Sequence, residues 1–420
     1  MNKQNKFLFP FMLVTSLFFL WGFLHNLDPV LIPHLRKTFQ LNYLQSSLVD
    51  SSVFAAYFLM ALPAGFVMRK YGFKSGIILG LVLFGAGCLL FLPAADTNKY
   101  IFFLGALFIA ASGLTFLETA ANPYATILGD PATSTQRLNF AQAFNGLAVF
   151  LAPIIGGKFI LSGTEYTKEQ MTVMPAGELA LYLQSEAARV KTPYLILGII
   201  ILLIAAIFYF SKLPDSKDAG DAGSGFGKMF KIPHLRGAII AQFFYVGAQV
   251  CVGSFFINVV KNSVDMDEKT ASRYLAYGYG LAFVIGRFAG TFLMKYYSPQ
   301  RLLFVYASIN IILSGLVIFA TGMVTVFALI AISFFMSVMF PTIFALGIKN
   351  MNTVDTKMGS SLIIMAIVGG ALLPPLLGVI SDSTGNIQYG YIVPLLCFIA
   401  VAWYGIMGYK VKNENPIVSV

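Results

Sequence analysis

The feature that most limits the fold is a run of 47 residues, 302–348, without a charged side chain. A helix needs about 20 apolar residues to cross the hydrocarbon core of a bilayer, so this run is more than twice as long as one crossing. Thr321 and Gly322 near its middle supply a polar, flexible break. The run therefore predicts two membrane helices joined by a short turn.

The rest of the chain has the same character. Of its 420 residues, 58% are hydrophobic and only 11% are charged, whereas an ordinary soluble domain has about 25% charged residues. A mean hydropathy of +0.78 leaves no polar shell for soluble domains. A soluble multidomain enzyme is therefore excluded, and a lipid bilayer is the expected surroundings.

Cutting the chain at its charges predicts an all-α membrane protein with twelve transmembrane helices. An even number of spans places both chain ends on the same side of the membrane. Two of the spans share the run described above. The other ten are predicted at 7–35, 51–68, 75–95, 100–122, 138–157, 192–211, 237–260, 274–294, 358–381 and 383–409.

Orientation follows from Lys and Arg, which are enriched on the cytoplasmic side. Of the 28 basic residues, 17 fall on the side that carries both termini, nine on the other side, and Lys158 and Arg287 inside spans. Both termini are therefore predicted to be cytoplasmic. The net charge of +10 is then a topology signal, and no nucleic-acid partner is expected.

Gly and Pro spacings repeat at about half the chain length. The spacing from Pro123 to Gly129 returns from Pro341 to Gly347, and two similar pairs recur at nearly the same offset. Such repeats are the usual build of secondary transporters. They predict two parallel six-helix bundles with a Gly- and Asp-rich cytoplasmic linker between them, at 1–211, 212–236 and 237–420.

Two acids interrupt apolar spans and are the candidates for cation coupling, because a charge at the bilayer centre costs about 2.5–3.5 kcal/mol. Glu118 precedes Asn122 by four residues, which places both on one helix face, and no Lys or Arg lies within two turns of it in sequence. Asp28 follows Asn26 and precedes Pro29 in a polar turn of span one. The structural alternative is a carboxyl held by a neighbouring helix or, for Asp28, solvated near the outer surface.

Spans five and seven each carry polar, mostly amide side chains along one face. They are Asn139, Gln142 and Asn145 on span five, and Gln242, Tyr245 and Gln249 on span seven. Amides both donate and accept hydrogen bonds, which suits a polyhydroxylated ligand. The alternative is hydrogen bonding between helices, which membrane bundles use routinely. The candidate substrate-binding residues are Asn26, Asn122, Asn139, Gln142, Asn145, Gln242, Tyr245 and Gln249. Arg287 is expected to form a structural ion pair.

Other chemistries lack their motifs. No phosphate-cradling Gly-Lys-Ser/Thr loop is present, so an ATP-driven pump is not indicated. Cys88, Cys251 and Cys397 lie in apolar runs without paired spacing and are expected to be small core residues, and neither a metal site nor a cofactor is expected. A membrane-embedded enzyme or a sensor that uses the same pocket stays open as an alternative.

Several long motifs resemble the fucose-galactose-glucose:cation symporter family of the major facilitator superfamily. They lie at 117–123, 139–145, 244–249, 285–291, 341–350 and 367–370, while the turn at 65–74 resembles the superfamily in general, with Arg69 in place of its acidic residue. The resemblance implies import of a monosaccharide such as glucose, galactose or fucose by symport with H⁺ and alternating access, in a bacterial inner membrane. It assigns cation coupling to Glu118, and Asp28 stands one position before the place of the family's span-one acid. Sodium coupling, or transport of another polar solute, is the alternative.

Overall fold

The computed structural model describes residues 5–41, 48–97, 99–160, 166, 168–213, 226–264, 266 and 268–411. Within these ranges the chain is helical, and none of these residues lies in a β-strand. Eleven segments of the described chain are long and apolar enough to cross a membrane. They are Phe7–Ile32, Leu48–Tyr71, Phe73–Thr97, Tyr100–Ile127, Pro131–Ile160, Ala176–Phe210, Pro233–Ser254, Pro299–Phe319, Met323–Gly347, Thr353–Thr384 and Ile387–Gly408.

The remaining predicted crossing, span eight at 274–294, consists of two consecutive pieces that a short α-helix directly precedes. An α-helix at Glu268–Arg273 continues as a π-helix at Tyr274–Gly280 and then as an α-helix at Leu281–Leu293. The π-helix shifts the backbone bonding, and the hydroxyl of Ser333 donates to the carbonyl of Tyr279 at 2.7 Å. Charge counting locates this crossing but does not reveal the change of helix type, because hydropathy does not depend on backbone pitch.

The predicted division of the long uncharged run into two helices is confirmed. One helix ends at Phe319 and the next begins at Met323. Gly322 between them has a φ of +66°, a conformation that glycine adopts without steric cost. The turn that joins spans nine and ten is therefore specified by this residue.

Several spans are interrupted. Span one is broken at Asn26 and Leu27, which confirms the predicted polar turn, and span ten is broken at Ser337 and Val338. Short helices also lie between the spans. The bounds of the pieces are Asn5–His25 and Asp28–Thr38 in span one, Met323–Met336 and Met339–Gly347 in span ten, Thr353–Met365 and Gly369–Thr384 in span eleven, Ile392–Trp403 in span twelve, and Ala176–Ala188 and Lys191–Phe210 around span six.

The chain forms two compact units. The larger unit comprises Met1–Val14, Asn122–Ala143 and Ser216–Val420, and the smaller unit comprises Thr15–Ala121 and Phe144–Asp215. The predicted division at 1–211, 212–236 and 237–420 stays a prediction. Positions 214–225 of the predicted linker lie outside the described residues.

Small residues set the packing distance between spans three and four in the smaller unit. A Cβ added at Gly87 would lie 2.3 Å from the backbone nitrogen of Ala110, and one at Gly113 would lie 2.3 Å from that of Phe84. Glycine at these positions lets the two backbones touch, as at many membrane helix interfaces. The expected burial of all three cysteines is confirmed.

Candidate functional site

The carboxyl of Glu118 lies inside the smaller unit, on span four. Its side chain is only 8% exposed, and the hydroxyl of buried Tyr57 on span two donates to its Oε1 at 2.5 Å. An O–H···O contact of this length is typical of a charge-assisted hydrogen bond. A phenol can donate to a carboxylate or accept from a carboxylic acid, so this pair has a bonding pattern for each protonation state.

A small cavity lies one helical turn from this pair. Val53 precedes Tyr57 by four residues and Leu114 precedes Glu118 by four, and both line the cavity. A turn of helix is about 3.6 residues, so the cavity and the carboxyl follow each other along two adjoining spans. Its other lining residues are Leu24, His25, Leu107 and Ala111, among which only His25 is polar.

Two of the predicted amides meet at Gly22 of span one in the smaller unit. The half-buried Asn26 donates from Nδ2 to the carbonyl of Gly22 at 2.6 Å. Asn145 of span five packs on the same residue, since a Cβ added at Gly22 would lie 2.6 Å from its Nδ2. The side chain of Asp28 lies outside the described residues, so the structure places only its backbone, at the start of a helix.

Three further amides lie in the larger unit. Gln142 donates from Nε2 to Oδ1 of Asn122 at 3.0 Å, and both side chains are buried. Asn139 donates from Nδ2 to the carbonyl of Thr135 at 2.9 Å and to Oγ1 of Thr342 at 3.3 Å. The donor of Asn139 is therefore spent on bonds within and between helices, while its Oδ1 has no hydrogen-bond partner among the described residues.

Arg287 contacts this amide group from span eight. Its guanidinium donates from Nε to the carbonyl of Ser337 at 2.8 Å, and from Nη1 to the carbonyl of Gln142 at 2.7 Å. Within the described ranges it makes no salt bridge. The expected structural ion pair is therefore wrong, because the break in span ten offers a carbonyl that the sequence does not reveal.

On span seven, one predicted residue differs from the others. Gln242 is fully buried, and neither its Nε2 nor its Oε1 has a hydrogen-bond partner in the part of the chain that the structure describes. Tyr245 is also buried, but its hydroxyl donates to the carbonyl of Met336 at 3.1 Å. Gln249 is half-buried. An unsatisfied buried polar group costs about 1–3 kcal/mol, so Gln242 carries an energetic cost that Tyr245 avoids.

The arrangement is that of a helical membrane protein with a buried carboxyl and buried amides. A family model described as Major Facilitator Superfamily matches residues 11–367. The chain belongs to this superfamily. Membership confirms the predicted fold class and makes the chain a membrane transporter, not an enzyme.

Two curated relatives are similar along almost their whole length. The L-fucose-proton symporter of Escherichia coli (strain K12) is 40% identical over 409 residues, which cover 95% of this chain and 93% of that protein. The glucose/galactose transporter of Brucella abortus (strain 2308) is 39% identical over 414 residues, which cover 97% of this chain and 96% of that protein. The resemblance to fucose, galactose and glucose symporters is confirmed.

Solved structures agree. A crystal structure of the E. coli fucose:proton symporter matches with a TM-score of 0.88 at 39% identity, covering 95% of this chain and 98% of that one. The proton:xylose symporter XylE matches with a TM-score of 0.70 at 12% identity, covering 94% of each chain. The second likeness shows the fold alone.

Proposed function

We propose that this chain imports a monosaccharide together with protons across a bacterial inner membrane, by alternating access. The names of the relatives support this proposal, since one is an L-fucose-proton symporter and another a glucose/galactose transporter. Their identities to this chain, 40% and 39%, are nearly equal. The substrate class is therefore a hexose or deoxyhexose, with fucose, galactose and glucose as the first candidates.

The observation that carries the proposal is the buried carboxyl of Glu118 with its hydrogen bond from Tyr57. Low-dielectric surroundings disfavour a charged carboxylate, so protonation and sugar binding can favour each other. In the proposed cycle, protonated Glu118 permits sugar binding from outside, and loss of the proton inside accompanies release. Asp28 is proposed as a second, weaker candidate for the same role.

The candidate residues are proposed to bind the sugar, and they are ranked by how many of their polar atoms lack a partner within the protein. Gln242 comes first, because both its donor and its acceptor are unused. Gln142 with Asn122, Asn145 with Asn26, and Gln249 follow. Asn139 comes next, since its Nδ2 is spent on other groups while its Oδ1 has no partner among the described residues, and Tyr245 comes last, since its hydroxyl donates to another helix.

The decisive experiment is uptake into proteoliposomes under an imposed proton gradient or an imposed sodium gradient, with a panel of labelled hexoses. We expect proton-driven accumulation of chemically unchanged sugar. Accumulation under the sodium gradient alone would favour sodium coupling, and uptake of none of the sugars would favour another polar solute. Chemical conversion of the sugar would point instead to a membrane enzyme.

The coupling role is tested with Glu118→Gln in the same system. This variant should lose gradient-driven accumulation while keeping sugar exchange, because a permanently neutral side chain cannot release a proton. Glu178→Gln is the matched control, since Glu178 is exposed on the short helix Ala176–Ala188. Undiminished accumulation by Glu118→Gln would exclude Glu118 as the coupling group.

We also propose that the segments before span one and after span twelve are cytoplasmic, as the Lys and Arg distribution favours. Gly177 and Gly227 are exposed glycines at which a Cβ meets no other atom within 4 Å, and the native cysteines are buried. Gly177 lies between spans five and six, on the predicted outer side, and Gly227 lies in the predicted cytoplasmic linker. A membrane-impermeant thiol reagent should therefore label Gly177→Cys in intact cells and Gly227→Cys only in inverted vesicles. The opposite pattern would reverse the orientation.

A further inference from the structure

Arg287 is a buried charged side chain that the proposed function leaves unused. It lies in span eight and is only 3% exposed. A buried cation inside a membrane protein is costly and marks a functional position by default. Its contacts are two backbone carbonyls, a side-chain amide oxygen and the ring of Phe283, whose centroid lies 4.6 Å from the guanidinium carbon.

The fold brings the guanidinium to this place by two local features. A Cβ added at Gly286 would lie 2.3 Å from the carbonyl oxygen of Phe334, so the adjoining glycine allows spans eight and ten to touch. Span ten is broken at Ser337, and its carbonyl accepts from Nε of Arg287 at 2.8 Å. This bond holds the Nε edge of the guanidinium in place.

The opposite side of the guanidinium faces Gln142. Nη1 donates to the backbone carbonyl of Gln142 at 2.7 Å and lies 3.5 Å from its side-chain Oε1. A guanidinium has donors and no acceptor, so it favours the amide orientation in which the oxygen of Gln142 faces Arg287, at the outer limit of hydrogen-bond distance. Its Nε2 then points the other way, and it donates to Oδ1 of Asn122 at 3.0 Å.

These contacts form a directed chain, in which Arg287 donates to Gln142 and Gln142 donates to Asn122. Reversal of either amide would place an N–H group against a donor or an oxygen against an oxygen. The direction of the chain leaves Asn122 as an acceptor through Oδ1, with its Nδ2 turned away from Gln142. A sugar hydroxyl that meets these two amides therefore meets a fixed pattern of donors and acceptors.

We propose that Arg287 is a positioning residue for sugar binding, which sets the direction of the Gln142–Asn122 amide chain. The proposal rests on the proposed function, in which these two amides contact the sugar. Arg287 does not itself bind the sugar; it acts through Gln142. Its removal lets the amides rotate and weakens sugar binding, because the pattern presented to the sugar is no longer unique.

The experiment measures the Kd for labelled sugar and the KM and maximal rate of sugar counterflow in the purified, reconstituted full chain. Arg287→Met and Arg287→Gln should each raise Kd and KM about tenfold, as for the loss of one charge-assisted hydrogen bond, with the maximal rate changed less than twofold. Arg287→Lys should recover most of the affinity, because an ammonium also has only donors. Arg273→Met is the matched control, since Arg273 is exposed at the end of the short helix that leads into span eight, and it should leave Kd unchanged.

A second comparison separates positioning from a general structural role. In a Gln142→Leu background, Arg287→Gln should weaken binding by less than twofold, since two residues that act through one contact are not additive. An unchanged Kd in Arg287→Gln, a Lys variant that binds no better than the Gln variant, or full additivity with Gln142→Leu would each overturn the proposal. Absence of sugar binding and counterflow in the unsubstituted chain would instead overturn the proposed function.

Discussion

Tyr57 and Glu118 join spans two and four through a hydrogen bond of 2.5 Å between the phenol and the carboxyl. Both side chains are buried in the smaller unit. A hydrogen bond to a charged partner contributes about 1.5–3 kcal/mol. In the proposed cycle the phenol therefore stabilises the carboxylate that proton release leaves behind, so Tyr57 is expected to affect coupling.

Tyr57→Phe should slow proton-driven sugar accumulation by about tenfold or more, because the deprotonated carboxyl loses a hydrogen bond to a charged group. Sugar exchange, which requires no net proton release, should change much less. The measurement is initial uptake under a proton gradient compared with counterflow. Tyr71→Phe is the control, since Tyr71 is 55% exposed at the end of the same helix; equal effects in both variants would remove Tyr57 from the coupling mechanism.

Gln242→Leu should weaken sugar binding and at the same time stabilise the protein. The buried amide has no partner for either polar atom among the described residues, and an unsatisfied buried polar group costs about 1–3 kcal/mol. The KM for sugar should rise about tenfold while the thermal unfolding temperature increases. A sugar-binding role would be contradicted by an unchanged KM.

Gln388→Leu gives the contrasting case for stability. Its Nε2 donates to the carbonyls of Val317 and Ala320 at 2.7 and 2.8 Å. Replacing it with Leu removes both bonds, and Ala320 keeps only the hydroxyl of Thr325 as a side-chain donor among the described residues, so the unfolding temperature should fall. The pair of variants separates a glutamine that holds the fold from one that is available to a ligand.

Much of the fold was open to prediction from the sequence, since a charge-free stretch of about 20 residues has few alternatives to a membrane helix. Glu118 could be recognised from the sequence as a candidate site residue, because placing a carboxyl inside such a stretch costs free energy. Tyr57 was not, because the sequence does not show which of 20 tyrosines faces span four. A tyrosine costs little in a membrane helix, so its presence carries no signal.

Arg287 marks a different limit. Because a charge inside a span costs free energy, the sequence predicts that Arg287 has a partner, and a carboxylate is the expected one. The observed partners are carbonyls of Ser337 and Gln142, of which the first is offered where span ten breaks. A helix break without a proline at that position cannot be recognised from the sequence. This contact could therefore be identified only from the structure.

The close approach of spans three and four predicts a strong effect of volume. Gly113→Ala places a Cβ 2.3 Å from the backbone nitrogen of Phe84, which forces the two backbones apart. Such overpacking costs about 1–3 kcal/mol, so the unfolding temperature in detergent should fall. Gly105→Ala on the same helix is the control, because its Cβ meets no atom within 4 Å, and similar destabilisation by both would show that packing is not the cause.

Arg137 closes the end of span four in the larger unit. Its guanidinium donates to the carbonyls of Thr126 and Asp130 at 2.5 and 2.6 Å and to Oγ1 of Thr133 at 2.6 Å. The last carbonyls of a helix have no partner within the helix, and a cation there also interacts favourably with the helix dipole. Arg137 therefore supplies at once the donors and the charge that this helix end needs.

Arg137→Ala should destabilise the protein by about 1 kcal/mol, because two of the three acceptors are exposed and can bond water instead. Arg137→Lys should restore part of the loss, because one ammonium keeps the charge but cannot reach three acceptors with the fixed fork of a guanidinium. The thermal unfolding temperatures of the detergent-solubilised variants rank their stabilities. Arg236→Ala is the control at an exposed arginine. If alanine and lysine proved equally stable, the charge would contribute nothing and the fork geometry alone would account for the stabilisation.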